Sequence, residues 1–389
     1  MEYKDSQQLF QSFQRDWPME ASYYIWGTSN TAHKLYNLFP NELNIVGFID
    51  NNAAKWGTQF LGHPVFSPEE FFSSQNRKKL IVASQAYNDI RCELERKGLL
   101  ENTDFCDSRF FIGIYQWLQN GRVYLRRVDL SITSYCNLRC RHCNMLMPYY
   151  KKHRHYDLSN ILLDVDAYFR WVDYVEFFNI LGGEPFLHPD ILEITREIAK
   201  RYREKIGDLV FFSNGTIMPE EQMLDLMKEY RIKVYIGDYR EHIAAIRPKV
   251  DEFIHKLKFY GIPYEMPISD TWTDFNHAPT DRSNWTAEQL AKICNRCGEP
   301  FRGIHNQKFY FCHLNTSAAL SGQYEEEEGD YLDLSSLPEG RGDTLVAFDL
   351  ACIPKGYVSY CRYCGGCAPM NQQEVPPAEQ LPAGYQGRP

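Results

Sequence analysis

The sequence predicts an α/β protein with two parallel-sheet regions followed by a small cysteine-rich segment. Short apolar strands alternate with amphipathic helices through most of the first 290 residues, and this alternation is typical of βα units with parallel strands. Seven of the twelve cysteines lie in the last hundred or so residues. We therefore predict domains at 1–120, 121–290 and 291–389. The predicted strands are 23–26, 45–49, 80–84, 128–132, 175–180, 209–212, 233–236 and 262–268, with a helix-prone bridge between the first two domains at 109–127.

The composition excludes several classes of partner. Of the 389 residues, 44% are hydrophobic and 24% are charged, which is ordinary for a globular protein. The net charge of -9 argues against a nucleic-acid partner. No run of about 18 apolar residues could span a membrane, and the start of the chain lacks a signal-peptide pattern. We therefore expect a cytoplasmic protein with reduced thiols, in which close cysteine clusters indicate metal sites.

The first region carries a weakened nucleotide-binding pattern. Gly27, Ser29 and Ala32 stand where G-x-G-x-x-G would have three glycines, and Asp50 follows at about the distance of an acidic ribose ligand. A helix that begins after this turn would offer N–H groups to a phosphate. Because two of the three glycines are replaced, this signal is weak, and NAD is not predicted.

Three cysteines on one loop organise the second region. Cys136, Cys140 and Cys143 form a C-x3-C-x2-C array directly after the strand predicted at 128–132. Thiolates this close in sequence can converge on one soft metal centre. Three thiolates bind only three irons of a [4Fe–4S] cube, so the fourth iron keeps an open position. Zinc is the alternative, but it usually takes a fourth ligand, and the nearby His142 lies between two of the cysteines.

This array resembles that of the radical S-adenosylmethionine (SAM) superfamily. The resemblance implies a partial (β/α)6 barrel in which SAM binds the open iron. An external one-electron donor such as flavodoxin or ferredoxin would then drive cleavage to a 5′-deoxyadenosyl radical. The three cysteines would be both the catalytic residues and the metal ligands. Matching segments at the ends of the next three strands imply the SAM-binding residues Gly182, Gly183, Glu184, Ser213, Asn214 and Asp238.

The tail resembles the twitch and SPASM extensions of radical SAM enzymes, which carry auxiliary [4Fe–4S] clusters. Their pattern has one cysteine, then G-x4-C, then a later pair, and Gln307 stands here in place of the glycine. The resemblance implies one auxiliary cluster; a full SPASM domain with two clusters and a zinc ribbon are the alternatives. The expected ligands are Cys297, Cys312, Cys361 and Cys364, which leaves Cys294, Cys352 and Cys367 over; a zinc ribbon would use Cys294, Cys297, Cys361 and Cys364.

The first region is similar, over the segments 27–39, 46–71 and 80–90, to the small Rossmann-like domain attached to bacterial glycan-biosynthesis enzymes. The resemblance implies a crevice for a nucleotide-sugar, and a docking or structural domain with an empty crevice is the open alternative. A single auxiliary cluster resembles the layout of aminocyclitol dehydrogenases. Together these resemblances imply an oxidoreductase that acts on a sugar, aminosugar or cyclitol, free or nucleotide-linked, by dehydrogenation or epimerisation. The alternatives are a SPASM-type maturase of peptides and a non-catalytic, zinc-stabilised binding protein.

Overall fold

The computed structural model describes residues 5–39, 42–74, 79–267, 270–275, 280–297, 301–367, 371–382 and 384–385. The chain divides into two compact units, Glu2–Gly121 and Arg122–Pro389. The second unit contains both the predicted barrel region and the cysteine-rich tail, so the predicted division at residue 290 stays a prediction. In the described ranges, no helix is long and apolar enough to cross a bilayer.

The first unit is built on one six-stranded sheet. Its strands are β1 (Ser22–Trp26), β2 (Asn44–Ile49), β3 (Gln59–Phe60), β4 (His63–Phe66), β5 (Lys79–Val82) and β6 (Phe105–Asp107), and its helices are α1 (Ser6–Asp16), α2 (Asn30–Leu38), α3 (Pro68–Ser73), α4 (Tyr87–Arg96) and α5 (Ser108–Asn120). The strand order is β3-β4-β2-β1-β5-β6, and only β3 pairs in the antiparallel sense. The predicted strands at 23–26, 45–49 and 80–84 correspond to β1, β2 and β5.

The prediction that the segment 109–127 is a bridge between the first two domains is wrong for the helix that it contains. Helix α5 ends at the left-handed Gly121 and packs within the first unit. Phe111 has no exposed surface, and its ring lies 5.5 Å from that of Phe13 on α1 and 5.7 Å from that of Tyr23 on β1. Burial of these aromatic rings explains why this segment is so apolar.

The second unit contains an eight-stranded sheet and a short two-stranded one. Its strands are β7 (Tyr124–Thr133), β8 (Tyr174–Gly182), β9 (Ile206–Ser213), β10 (Lys233–Ile236), β11 (Tyr264–Glu265), β12 (Trp272–Thr273), β13 (Gly303–His305), β14 (Lys308–Tyr310), β15 (Tyr331–Asp333) and β16 (Glu374–Val375). Its helices are α6 (Leu158–Phe169), α7 (Ile191–Tyr202), α8 (Glu221–Glu229), α9 (Arg247–Tyr260), α10 (Ala287–Arg296), α11 (His313–Ser321) and α12 (Gly342–Asp349). The larger sheet has the order β11-β10-β9-β8-β7-β13-β14-β15.

Six strands of the larger sheet run parallel. Strands β7 to β11 are neighbours in chain order, and β13 adds beside β7, where Gly303 pairs with Asp129. The tail therefore extends the sheet that holds the cysteine loop. The strand predicted at 262–268 is shorter than expected, because only 264–265 pairs with β10. Closure into a partial (β/α)6 barrel stays a prediction.

The two faces of the larger sheet differ in polarity. Val128, Leu130, Phe178 and Ile180 alternate onto one face and are almost completely buried. The ring of Phe169 on α6 stacks on Phe178 at 5.5 Å, so this face forms the core against the helices. The opposite face carries polar side chains, which are described with the site below.

The hairpin between β13 and β14 explains the missing glycine of the tail motif. Asn306 and Gln307 form its two-residue turn with φ of 50° and 56°, a left-handed conformation that costs a non-glycine residue energy. The Asp164 carboxylate accepts the backbone N–H groups of Asn306 at 3.0 Å and Gln307 at 2.6 Å. These two hydrogen bonds stabilise the left-handed turn at Gln307, the position where the twitch pattern has a glycine.

Replacing Asp164 by Ala should lower the free energy of unfolding by about 1–2 kcal/mol, since two hydrogen bonds to a carboxylate are lost. Burial raises the pKa of Asp164 from 3.8 to about 6, although the two N–H donors oppose this rise. Because the folded-state pKa is the higher one, the stabilising contribution of protonated Asp164 is lost as the pH rises from about 4 to 6. Urea unfolding between pH 4 and pH 7 should show this slope in the native chain.

The matched control is Asp166→Ala on the same helix. The Asp166 side chain is 42% exposed and pairs with Arg201, so its loss should cost no more than about 1 kcal/mol. A D164A variant as stable as D166A, with an unchanged pH slope, would contradict the role given to Asp164.

Candidate functional site

The cysteine loop follows β7 and brings the three predicted thiols together. Cys136, Cys140 and Cys143 lie within electrostatic range of one another, since the charge of each neighbouring thiolate would raise the pKa of Cys136. Cys140 is buried and the other two are partly buried. Burial is the main cause that raises the pKa of all three thiols, to about 12 for Cys140. Without a metal these thiols would stay protonated at neutral pH.

Each of the three sulfurs also accepts N–H hydrogen bonds. Cys136 accepts from the backbone of Leu138 at 3.5 Å and Cys140 from the side chain of Gln380 at 3.3 Å. Backbone N–H groups of residues 145–147 point to Cys143. Such donors stabilise thiolates and surround the sulfurs of iron–sulfur clusters. The donor set of three buried thiols with N–H partners therefore fits a cluster, since iron would replace the thiol protons.

No three His, Cys, Asp or Glu side chains converge on a single metal ion in the ranges that the structure describes. A [4Fe–4S] cube does not require such convergence, because its thiolates bind different irons. A mononuclear zinc site at the cysteine loop would require it.

The predicted Gly182-Gly183-Glu184 turn packs directly on the chain that leads into the cysteine loop. A Cβ on Gly182, whose φ is 144°, would lie 2.3 Å from the Thr133 carbonyl oxygen, and one on Gly183 would lie 2.0 Å from that of Tyr135. Backbone bonds join Gly183 to Thr133 at 2.9 Å and Glu184 to Tyr135 at 2.8 Å. Only glycine permits this approach at both positions.

Glu184 ties the end of β8 to the end of β9. It has no exposed surface, and it accepts hydrogen bonds from the Ser213 hydroxyl at 2.9 Å and the Asn214 backbone at 2.8 Å. Burial raises its pKa to about 7, although these bonds oppose the rise. Asn214 in turn donates to the Cys136 sulfur at 3.8 Å. Four predicted residues therefore form one network, and the binding of SAM by them stays a prediction.

Asp238 pairs with an arginine, whereas the neighbouring Tyr239 lies near the loop thiols. The Arg240 guanidinium holds both oxygens of Asp238, at 2.8 and 2.7 Å, and lowers its pKa. The hydroxyl of the partly buried Tyr239 lies within electrostatic range of all three loop thiols and of Glu184, and desolvation together with these charges raises its pKa. Asp238 was the predicted residue and Tyr239 was not, because nothing in the sequence distinguishes which of the two neighbouring side chains turns toward the thiols.

The end of the chain also reaches the cysteine loop. Gln380 bonds to the Cys140 sulfur and accepts the Arg139 backbone N–H at 2.8 Å. Arg141 donates to the Glu379 carbonyl at 2.7 Å, and Leu381 donates to Arg139 at 2.8 Å. The Pro/Gln-rich composition of this segment gave no sign of these contacts.

Replacing Gln380 by Ala should make cluster loss in air faster and the cluster potential more negative, since one hydrogen bond to the Cys140 sulfur disappears. Iron retention after timed exposure to air and a redox titration followed by electron paramagnetic resonance (EPR) would measure both effects. The control is Gln372→Ala, an exposed glutamine of the same segment. Equal iron loss in the two variants would show that Gln380 does not support the loop.

Six tail thiols gather in a second group. Cys294 hydrogen-bonds to Cys361, and Cys297 hydrogen-bonds to Cys367. Cys312 and Cys364 lie within electrostatic range of both pairs. The structure thus brings together the four predicted ligands and adds two of the thiols left over. The six members, called the tail thiol group below, are Cys294, Cys297, Cys312, Cys361, Cys364 and Cys367.

The polar face of the larger sheet holds a buried charge network. Asp129 accepts from Asn179 at 2.7 Å and from Arg127 at 3.0 Å, and its Oδ2 lies 3.2 Å from the His313 ring. Burial opposes its ionisation, but Arg127 and His313 lower its pKa to about 2. This network was not predicted, because a single Asp within an apolar strand forms no motif with neighbouring residues in the sequence.

The acidic residue of the weakened nucleotide pattern is already paired. Asp50 accepts hydrogen bonds from the Thr28 hydroxyl, the Asn52 backbone at 2.9 Å and the Lys55 ammonium at 2.9 Å. Burial opposes its ionisation, but these bonds lower its pKa. Gly27 has a φ of 118°, and a Cβ there would lie 2.5 Å from the Ala83 carbonyl oxygen. Most of the hydrogen-bonding capacity of this carboxylate is therefore already used by the protein itself.

Comparison with known proteins matches two family models. Residues 130–238, from the end of β7 through Asp238, match the model described as "Radical SAM superfamily". This stretch is therefore similar to a radical SAM domain. It contains the cysteine loop, the Gly182-Gly183-Glu184 turn and Ser213-Asn214. Residues 19–103 match the model described as "C2185-like, N-terminal".

Curated relatives match this chain over short segments. The chain is 35% identical over 98 residues to GTP 3′,8-cyclase 1 of Mycobacterium tuberculosis, covering 23% of this chain and 26% of that protein. It is 30% identical over 117 residues to the antilisterial bacteriocin subtilosin biosynthesis protein AlbA of Bacillus subtilis, covering 28% and 22%. The matches thus span about a quarter of each relative's length.

Solved structures resemble the chain weakly. Native anSMEcpe with bound AdoMet and Cp18Cys peptide matches with a TM-score of 0.41 at 14% identity, covering 63% of this chain and 89% of the other. BtrN in complex with AdoMet and 2-DOIA matches with a TM-score of 0.38 at 12% identity, covering 66% and 98%. These similarities do not identify a substrate for this chain.

Proposed function

We propose that this chain is a radical SAM oxidoreductase that removes hydrogen from a sugar, aminosugar or cyclitol, free or nucleotide-linked. An external one-electron donor such as flavodoxin or ferredoxin would reduce a [4Fe–4S] cluster on Cys136, Cys140 and Cys143. The reduced cluster with bound SAM would supply a 5′-deoxyadenosyl radical. Glu184 would hold the ends of β8 and β9 in register beneath the loop. Asn214 and Gln380 would donate hydrogen bonds to two of the cluster sulfurs.

The observation that carries the substrate class is the polar sheet face. Ser131 Oγ and His313 Nε2 are buried there, and neither has a hydrogen-bond partner in the described ranges. The Arg127–Asp129–Asn179 network fixes charge beside them. Buried polar groups need partners, and the hydroxyl groups of a carbohydrate or cyclitol would provide them. Aromatic rings of Phe212 and Tyr235, stacked at 4.5 Å on the same face, would support the apolar side of a sugar ring.

The tail thiol group supports an oxidative outcome. An auxiliary cluster there would accept one electron from the substrate radical, and with release of the hydroxyl proton to solvent the alcohol would become a ketone. A thiol that returns hydrogen to the opposite face would instead give epimerisation. The polar face thus supports the substrate class, and the tail supports the fate of the radical.

The test is incubation of the reconstituted protein with SAM, a reductant and sugars or cyclitols deuterated at single carbons. Deuterium in 5′-deoxyadenosine is the expected result, since the hydrogen is transferred from carbon to that product. Label from a deuterated peptide library, with none from the sugars, would replace this substrate class by the peptide class. No 5′-deoxyadenosine from any mixture would contradict the radical chemistry itself.

A further inference from the structure

An exposed basic segment follows the cysteine loop in the chain. The side chains of Lys151, Lys152 and Arg154 are exposed, and no salt bridge joins any of them to a carboxylate in the described part of the chain. Asp157, at the N-cap of α6, is the only carboxylate in the stretch 149–157. Because the whole chain carries a net charge of -9, these three cations, called the basic patch below, are a local exception.

Backbone contacts hold this segment against the residues that lead into the cysteine loop. The Ser134 N–H donates to the Arg154 carbonyl oxygen at 2.9 Å, and the Arg154 N–H donates to the Ser134 hydroxyl at 2.8 Å. Thr133 and His155 form an antiparallel bridge. The segment is therefore fixed two residues before Cys136, by bonds that do not use the charges of the basic patch.

An exposed aromatic ring lies beside this segment. Tyr135 directly precedes Cys136 in the chain, and 42% of its surface is exposed. Its ring lies 5.6 Å from that of His153 and 4.5 Å from that of His155, the two neighbours of Arg154. Tyrosine and arginine are enriched among the residues that contribute most to protein interfaces. The surface thus combines an apolar ring with unpaired positive charge.

The chemistry proposed for the loop decides which acidic partner this surface fits. Electron transfer slows steeply with distance, so a carrier must dock close to the cluster that it reduces. A carrier seated on Tyr135 would lie one residue from a proposed cluster ligand. Carboxylates around the redox group of such a carrier would complement the basic patch and steer the encounter.

We propose that the basic patch and Tyr135 form the docking surface for an acidic one-electron carrier protein. The proposal rests on the loop cluster of the proposed function and goes beyond it by locating where the electron enters. In this step the carrier loses one electron and the cluster gains it, and no bond forms or breaks. The basic patch speeds association of the two proteins, and the Tyr135 ring supplies apolar contact.

The test compares two reductants on the reconstituted full chain. Acidic flavodoxin, kept reduced by its NADPH-dependent reductase, has to dock before it delivers an electron, whereas dithionite does not. In the variant Lys151→Glu, Lys152→Glu, Arg154→Glu, the ratio of flavodoxin-driven to dithionite-driven 5′-deoxyadenosine formation should fall about ten- to a hundredfold at low salt. In the native chain the same ratio should fall as the salt concentration rises, because salt screens surface charges.

The matched control is the variant Lys228→Glu, Lys249→Glu, Lys258→Glu. It makes the same change in net charge at exposed positions of α8 and α9, and it should keep the native ratio. A native ratio in the patch variant, or an equal fall in the control, would overturn the proposal.

A binding measurement decides the question without SAM cleavage. Carbodiimide cross-linking of the native protein to flavodoxin, followed by mass spectrometry, should join flavodoxin carboxylates to Lys151 and Lys152 but not to Lys249 or Lys258. Cross-links spread evenly over these four lysines, or displacement of flavodoxin by an equimolar DNA duplex, would contradict the assigned partner. Failure to cleave SAM with either reductant would end the proposed function without changing the cross-linking result.

Discussion

Replacing Cys136, Cys140 and Cys143 together by alanine will abolish reductive cleavage of SAM. The three thiols are all the cysteines of the loop, so the triple variant keeps no loop thiolate to bind the proposed cluster. The expected result is loss of 5′-deoxyadenosine to the level of a reaction without protein, measured by chromatography after reduction with dithionite. Loss of iron should be partial, because the tail thiols are unchanged.

The control for this variant is Cys92→Ala. Cys92 lies on α4 of the first unit, apart from both thiol groups in sequence, so this chain should cleave SAM at the native rate. If the triple variant still forms 5′-deoxyadenosine, the cysteine loop does not hold the cofactor that drives the reaction.

Replacing Cys312 by serine will separate the two proposed steps of the reaction. The tail cluster should be lost, because Cys312 is the sulfur that the α11 N-terminus supports. Cleavage of SAM should continue, since the cysteine loop is intact, while formation of oxidised product should fall to background. Both products can be counted in one reaction that contains an identified substrate.

The ratio of 5′-deoxyadenosine to oxidised product is the quantity that decides this second prediction. It should rise sharply in Cys312→Ser and stay at the native value in Cys92→Ser. An unchanged ratio in a Cys312→Ser chain that has lost its tail iron would show that the auxiliary cluster takes no part in the oxidation.

Local spacing made the centre of the site predictable from the sequence. The cysteine array, the Gly182-Gly183-Glu184 turn and Ser213-Asn214 each follow a recognisable apolar strand. Parallel strands that follow one another in the chain place their carboxyl ends side by side. The structure accordingly brings Cys136, Glu184, Ser213 and Asn214 into one network.

The features of the site and fold that were not predicted depend on contacts between residues far apart in the sequence. Gln380 reaches Cys140 across 240 positions, and no local pattern marks it. Asp164 stabilises a turn at Gln307 that the family pattern would give to glycine. The sequence of 109–127 predicts a helix, but it does not show which part of the protein the helix packs against. The segment was therefore wrongly predicted to be a bridge.

The most direct measurement is a joint assay of the native chain after anaerobic purification and reconstitution. Iron, sulfide and zinc would be determined together with 5′-deoxyadenosine formed from SAM and dithionite. The account predicts about eight irons and as many sulfides per chain, from one cube on the loop and one in the tail, together with SAM cleavage. A colourless protein that binds only zinc and leaves SAM intact would contradict it.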